Sequence, residues 1–143
     1  MIAVDTNILV YAHRGDSSHH APAKGQLHRL AGSGEPWAIP WPCIHEFYSI
    51  VTHPKVYDPP TTRAHALQQI EAWLEAPSLH LLAEDESHWD RLKTLIVRGQ
   101  VAGPRVHDAR IAALCLAHGV QTLWTADRDF RRFPELSTSN PVV

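Results

Sequence analysis

The sequence predicts an α/β fold, a largely parallel sheet covered by helices on both faces, and three observations carry that prediction. Short apolar runs recur at residues 2–4, Trp37–Ile39, Leu79–Leu82 and Thr122–Trp124, each with the length and composition of a strand buried on both sides. Helical patterns with legible ends lie between these runs, and strands that alternate with helices imply parallel pairing. The last helical pattern, PRVHDARIAALCLAH, is apolar around most of its circumference and belongs in the interior.

The elements follow in order. The first strand runs straight into VDTN, where Asp5 is placed to cap a helix beginning near Ile8. A helix over His20–Leu30 has Pro22 near its start and Gly32 and Gly34 beyond its end. The next runs from Pro42 to about His53, before Pro54. Another starts after Thr61 or Thr62, aligns Leu67, Ile70 and Leu74 on one stripe, and stops before Pro77. A helix from about Asp85 to Arg98 aligns Trp89, Leu92 and Ile96 and ends at Gly99. Gly103 and Pro104 open the apolar helix and Gly119 closes it. The tail RRFPELSTSNPVV holds two prolines and little periodicity, so no element is predicted there.

A length of 143 residues suits one domain spanning 1–143. Hydrophobic residues at 44%, charged residues at 20% and a formal net charge of -2 argue against electrostatic wrapping of a duplex. They leave room for an enzyme that touches a few phosphates through a metal and local arginines: Arg14, Arg105, Arg110, Arg128, Arg131 and Arg132 are the candidates. Cys43 and Cys115 lie in apolar helical patterns and read as buried free thiols. No apolar stretch approaches the ~20 residues that span a bilayer, and a cytoplasmic location is the simplest expectation.

Chemistry enters with the carboxylates. In open parallel sheets ligands sit beyond the carboxyl ends of the strands, where neighbouring connections diverge. Asp5 ends the first strand, and Asp127 leaves the last one in LWTADRDF. On the apolar helix Asp108 shares a face with Ile111, Ala112 and Cys115, so it points toward protein. Glu46 borders the apolar stripe of PCIHEFYSIV, beside Cys43 and Ile50. Two such charges ~4 Å apart repel by about 4 kcal/mol at an effective dielectric near 20. Convergence of all four therefore demands a cation, and oxygen-only ligands favour magnesium or manganese over zinc. Taken singly, each acid also has a structural role open to it: Asp5 as a cap, Asp127 in a turn with Arg128, Asp108 paired with Arg105 or Arg110, and Glu46 solvated.

Other chemistries find less support. His45-Glu46 is not continued into a His-x-x-x-His motif, and His19 and His20 lack acidic or cysteine partners nearby. Ser17, Ser18 and Ser49 lack the glycine-flanked turn of a serine hydrolase, and no phosphate-cradling glycine motif is present. A phosphatase of the haloacid dehalogenase type wants a second aspartate two residues after the first, where this chain has Asn7. A non-catalytic binding module, whose acidic pocket sequesters a basic partner, is the remaining alternative.

With VDTNILVYA at the start, HEF on the second of the patterned helices, VHDARIAA on the apolar helix and LWTADRDF before the tail, the chain resembles PIN-domain proteins, and more narrowly VapC-type toxin ribonucleases of bacterial toxin–antitoxin pairs. The resemblance covers essentially the whole sequence. It implies a PIN-like three-layer α/β/α sandwich with a central parallel sheet, and a magnesium-dependent endoribonuclease, manganese substituting, with tRNA or rRNA loops as candidate substrates. The family's four acidic positions fall on Asp5, Glu46, Asp108 and Asp127, with Asp5, Asp108 and Asp127 as metal ligands and Asp129 as an auxiliary. Thr6 and Thr125 fall on hydroxyl positions that orient the acids, although a helix cap or a strand-end hydroxyl is an equally available role. The resemblance further implies a homodimer and a cognate VapB-type antitoxin that blocks the pocket. Aromatic residues from Trp37 to Trp41 and at Tyr57 read as exposed and offer a surface for such a partner, though core packing accounts for them as readily.

Overall fold

The computed structural model describes residues 1–143 and contains one five-stranded sheet. Its strands are β1 (Ile2–Val4), β2 (Trp37–Pro40), β3 (Leu79–Leu82), β4 (Thr122–Trp124) and β5 (Ser137–Ser139), in the order β3-β2-β1-β4-β5 and all parallel. Ala3 sits in register between Ala38 on one side and Leu123 on the other. All three side chains are fully buried, as two-sided coverage requires.

The chain starts in the middle of the sheet, builds outward through β2 and β3, then crosses back to lay β4 against the free side of β1. Right-handed crossovers place the first two connections on one face and the third on the other. The first two contain α1 (Thr6–His13), α2 (His20–Gly32), α3 (Trp41–Val51) and α4 (Arg63–Leu74); the third contains α5 (His88–Gly99), a short 3-10 turn at Gly103–Arg105 and α6 (Val106–Ala117). Accordingly α1 packs on α2 and α3, while α5 packs on α6. This is the three-layer α/β/α arrangement, with Ile8, Leu9, Phe47, Val51, Ala109, Ala112 and Cys115 among the residues buried in a single core. Cys43 and Cys115 are both buried and free. No helix is long and apolar enough to cross a membrane.

Four details differ from the sequence-based expectations. α1 begins at Thr6 rather than near Ile8, because Asp5 caps it directly. On α4 the buried residues are Ala66 and Trp73, and the stripe of Leu67 and Leu74 turns outward at 46% and 38% exposure; the broad indole of Trp73 packs edge-on against Phe47 and takes the core-facing position. On α5 Leu95 is buried with Leu92 and Ile96 packed beside it, while Trp89, in the first turn, lies beyond the edge of the core and is 62% exposed. Trp37 is fully buried on β2, not a surface aromatic; Trp41 and Tyr57 are partly buried against the core.

The tail is structured where no element was predicted. A 3-10 helix spans Arg128–Arg132 and β5 follows at the sheet edge. Phe130, Phe133 and Leu136 recur every three residues and are all buried. The Phe133 amide donates to the Phe130 carbonyl and the Leu136 amide to the Phe133 carbonyl, each at 3.0 Å, so two successive three-residue turns, the second beyond the end of the 3-10 helix, bring the three onto one side. Gly99 permits the approach: a methyl group there would meet the Phe133 ring and the Val101 side chain, each at 3.2 Å.

Replacing Phe133 with alanine removes a ring that is 1% exposed and should cost about 3–5 kcal/mol in urea unfolding, against under about 1 kcal/mol for Leu67→Ala on the outer face of α4. Equal small losses for both would contradict the assignment of the tail to the core.

Candidate active site

The site grows from the junction of β1 and β4, the point where the strand order reverses. The Asp5 amide donates to the Trp124 carbonyl at 2.9 Å, the last rung between the two strands. Its backbone is extended, so the side chain turns back onto the first turn of α1 and accepts from the Thr6 amide at 2.8 Å. Oδ1 also faces the Cys43 thiol at 3.7 Å. Oδ2 accepts from the Thr125 hydroxyl at 2.6 Å and from the Asn7 side-chain amide at 3.4 Å. Asp5 is thus both a helix cap and the buried floor of the site.

The same hydroxyls pass order outward. Thr125 Oγ1 accepts from the Asp127 amide at 3.0 Å, and Asp127 Oδ1 accepts from the Asp129 amide at 2.8 Å, capping the 3-10 helix. Thr6 Oγ1 donates to Glu46 Oε2 at 3.2 Å, tying the acid on α3 to the first turn of α1. Asn7 is a residue whose part the sequence did not assign. Its Oδ1 accepts from the Ala126 amide at 3.2 Å, so one side chain staples the ends of β1 and β4 together. Its position as the second residue of a capped helix, beside the strand end, was the available signal.

Asp108 comes from α6 and is half-buried. Carboxylate oxygens of Asp108, Asp127 and Asp129 all lie within 4.8 Å of one another. Arg105, on the 3-10 turn before α6, forms an ion pair with Asp129 and lies 3.8 Å from Asp108. Of the acids singled out from sequence, Asp108, Asp127 and Asp129 therefore form the tightest group, Asp5 lies beneath it with its oxygens hydrogen-bonded to protein, and Glu46 stands across a cleft.

That cleft, about 540 Å³, runs between α3 and α6 and is lined by Glu46 and Asp108 together with His45, Ser49, His107 and Arg110. The His45 ring stacks on Trp41. His13 takes no part: its ring nitrogens meet Gln69 and Thr61, both at 3.1 Å, and it packs edge-on against Phe47.

Two carboxyls are raised above the usual carboxylate range, first by burial and only then by neighbouring acids. Burial pushes Asp5 up to about 6, against the pull of the Thr125 and Thr6 hydrogen bonds and with the push of Glu46 and Asp108. Asp108 is also raised to about 6, first by desolvation and next by Asp127, with Arg105 opposing. Asp129 is held below the usual carboxylate range by Arg105. The donor set at the cluster is oxygen only, and its unrelieved repulsion is the condition a hard divalent cation satisfies, so the residues present fit such an ion.

Comparison with known proteins agrees with this geometry. A family model described as the PIN domain matches residues 2–136. The chain belongs to the PIN-domain family. Among relatives of this PIN domain, ribonuclease VapC43 of Mycobacterium tuberculosis is 37% identical over 142 residues, covering 99% of this chain and 96% of the relative. Ribonuclease VapC48 of the same organism is 31% identical over 138 residues, covering 96% and 94%. Among solved structures, VapBC2 from Rickettsia felis, bound to a promoter DNA fragment, superimposes with a TM-score of 0.72 at 21% identity and 98% coverage of both chains. Mycobacterium tuberculosis VapC20, described as a sarcin–ricin loop cleaving toxin, gives a TM-score of 0.68 at 16% identity, covering 92% and 93%. These likenesses establish the three-layer PIN fold.

A raised carboxyl pKa means that the folded metal-free protein holds the Asp5 proton more tightly than the unfolded chain does. The stabilisation is complete below pH 3.8 and is lost as pH rises through about 6. Over that window the loss is ~3 kcal/mol. Asparagine at this position cannot ionise, so the stability of Asp5→Asn minus that of the parent should rise between about pH 4 and 6 and level off above it. Urea unfolding in the presence of a chelator measures the difference, and a flat difference would contradict the burial of this charge.

Proposed function

We propose that this PIN domain is the magnesium-dependent endoribonuclease toxin of a toxin–antitoxin pair, acting over residues 1–143 as a single catalytic unit. The observation that carries the proposal is the convergence of acids from four separate parts of the chain on the β1–β4 junction, with three carboxylates inside 4.8 Å. Relatives named VapC ribonucleases, similar over nearly the full chain, support the same activity. Asp108 and Asp127 would hold the ion, with Asp5 contributing directly or through a water and Asp129 as the auxiliary acid. When bound, the metal polarises the phosphate and lowers the pKa of water at the reacting centre.

The protein's own groups do the rest. Glu46, steadied by Thr6 and facing Asp108 across the cleft, orients the attacking water and accepts its proton. The water oxygen bonds to phosphorus as the bond to the 3′ oxygen breaks, and the departing 3′ oxygen takes a proton from solvent water, leaving a 5′ phosphate and a 3′ hydroxyl. Thr125 and Asn7 fix the depth of Asp5 against β4. The α3–α6 cleft is lined mostly by polar and charged side chains, with Pro42, Pro104 and Ile111 between them, and admits a single-stranded or loop segment of tRNA or rRNA more readily than a stiff duplex.

A homodimer and a VapB-type antitoxin complete the proposal, supported by solved VapBC assemblies of the same fold. The outward Leu67 and Leu74 on α4, and Trp89 and Val97 on α5, leave apolar surface for such contacts. The cytoplasm, where the RNA is, is the proposed place of action.

Purified protein freed of antitoxin should cut structured RNA with magnesium or manganese and stop when the ion is chelated. Asp108→Asn should lower the single-turnover cleavage rate at least about 100-fold, because it removes one charge of the cluster, while circular dichroism stays unchanged. Cleavage that survives both chelation and this substitution would overturn the proposal.

A further inference from the structure

The arginines around the site are not equivalent. Arg14 is committed to Asp16 at 2.7 Å and lies over the Tyr57 ring. Arg105 pairs with Asp129, Arg110 with Glu84 at 2.6 Å, and Arg132 donates to the Gly99 carbonyl at 3.2 Å. Arg128 and Arg131 are exposed and pair with no carboxylate. They sit three residues apart on the 3-10 helix, where side chains at that spacing eclipse and project together.

Both line a notch of about 210 Å³ whose other walls are Thr125, Ala126 and Asp127, the residues Thr138, Ser139 and Asn140 at the end of the edge strand, and Val143. Asn140 Oδ1 is taken by the Val142 amide at 3.2 Å, which leaves its amide nitrogen as a donor. The notch therefore offers two guanidinium groups, two hydroxyls and an amide against one side-chain carboxylate, Asp127, whose Oδ1 is taken by the Asp129 amide, and the excess of donors matches a tetrahedral oxyanion. Asp127 lines the notch, while Asp108 and Glu46 line the α3–α6 cleft. The acid cluster lies between the two depressions.

We propose that this notch is a subsite for one backbone phosphate of the RNA strand adjacent to the scissile bond. The inference rests on the nuclease reading above, because it takes the acid cluster as the place of cleavage. A strand laid in the α3–α6 cleft passes over the acids and is gripped on the far side by Arg128 and Arg131, which holds the scissile phosphate over Asp108 and Asp127. A phosphate grip carries no base identity, so the notch sets position and strand path rather than sequence preference.

The test uses the full chain carrying Asp108→Asn to prevent cutting, with binding of a labelled short single-stranded RNA followed by fluorescence anisotropy from about 50 to 200 mM salt. Adding Arg128→Gln and Arg131→Gln should weaken binding about tenfold and flatten the slope of log K against log salt by ~0.7, the signature of one lost phosphate contact on a single strand. Arg29→Gln with Arg63→Gln removes the same charge from α2 and α4 and should leave the slope in place. Equal effects of the two pairs, or an unchanged slope for the notch pair, overturn the subsite. So does a labelled poly-glutamate peptide that depends on the notch arginines while RNA binding does not, which assigns the notch to an acidic protein segment. Cleavage by the parent chain is scored separately, so failure of the nuclease reading is visible as intact RNA whatever the slopes show.

Discussion

Carboxylates that repel one another are held together here by a sheet that was folded for other reasons, and the site depends on how that repulsion is contained. Asp5 is contained by hydrogen bonding: the Thr6 amide, the Thr125 hydroxyl, the Asn7 amide and the Cys43 thiol surround its two oxygens. Asp129 is contained by Arg105. Asp108 has only a distant share of that guanidinium and Asp127 only a backbone amide, and it is at these two that uncompensated charge remains. A protein selected for stability alone has no use for this arrangement, whereas one that must bind a divalent cation requires it.

The topology explains why the acids meet. β1 lies at the centre of the sheet and its two neighbours leave in opposite directions, so the space beyond its carboxyl end cannot be filled by a connecting helix. Asp5 and Asp127 reach that space from adjacent strands; Glu46 and Asp108 reach it from α3 and α6, which flank it. The same residues do structural work. Asp5 caps α1 and Asp127 caps the 3-10 helix, so capping and proximity to the cluster are concurrent roles rather than alternatives.

Much of this was legible in the sequence because burial on both faces leaves a plain record. β1 and β2 are apolar runs that are buried as expected, whereas β3 exposes His80 and β4 buries only Leu123 fully, so neither is covered on both faces along its length; the inward face of α6 carries Asp108 beside residues that are buried. Strand ends directed Asp5 and Asp127, and helix phase directed Asp108, toward one crevice; Glu46 joined them through the resemblance to PIN-domain proteins. What the sequence hid was hidden for physical reasons. β5 is Ser-Thr-Ser, fully exposed at an edge, and has no apolar alternation to reveal it. The period of three in Phe130, Phe133 and Leu136 comes from two successive three-residue turns, only the first of which starts in the 3-10 helix, and matches neither the helical nor the strand template. The outward turn of Leu67 and Leu74 was set by Trp73, whose size outweighs the regularity of the stripe. The prominence of Asp129 over Asp5 within the tight cluster depended on the 3-10 helix and on Arg105, and neither leaves a periodic trace.

The central claim is that Asp108 and Asp127 share one divalent ion. Crystals of the metal-free protein soaked in manganese and measured at the manganese absorption edge test it directly, since the ion reports its own position. The account predicts an anomalous peak at about 2.0–2.3 Å from a carboxylate oxygen of each residue. A fully occupied peak bound to neither, in a protein that still cuts RNA with manganese present, would contradict it.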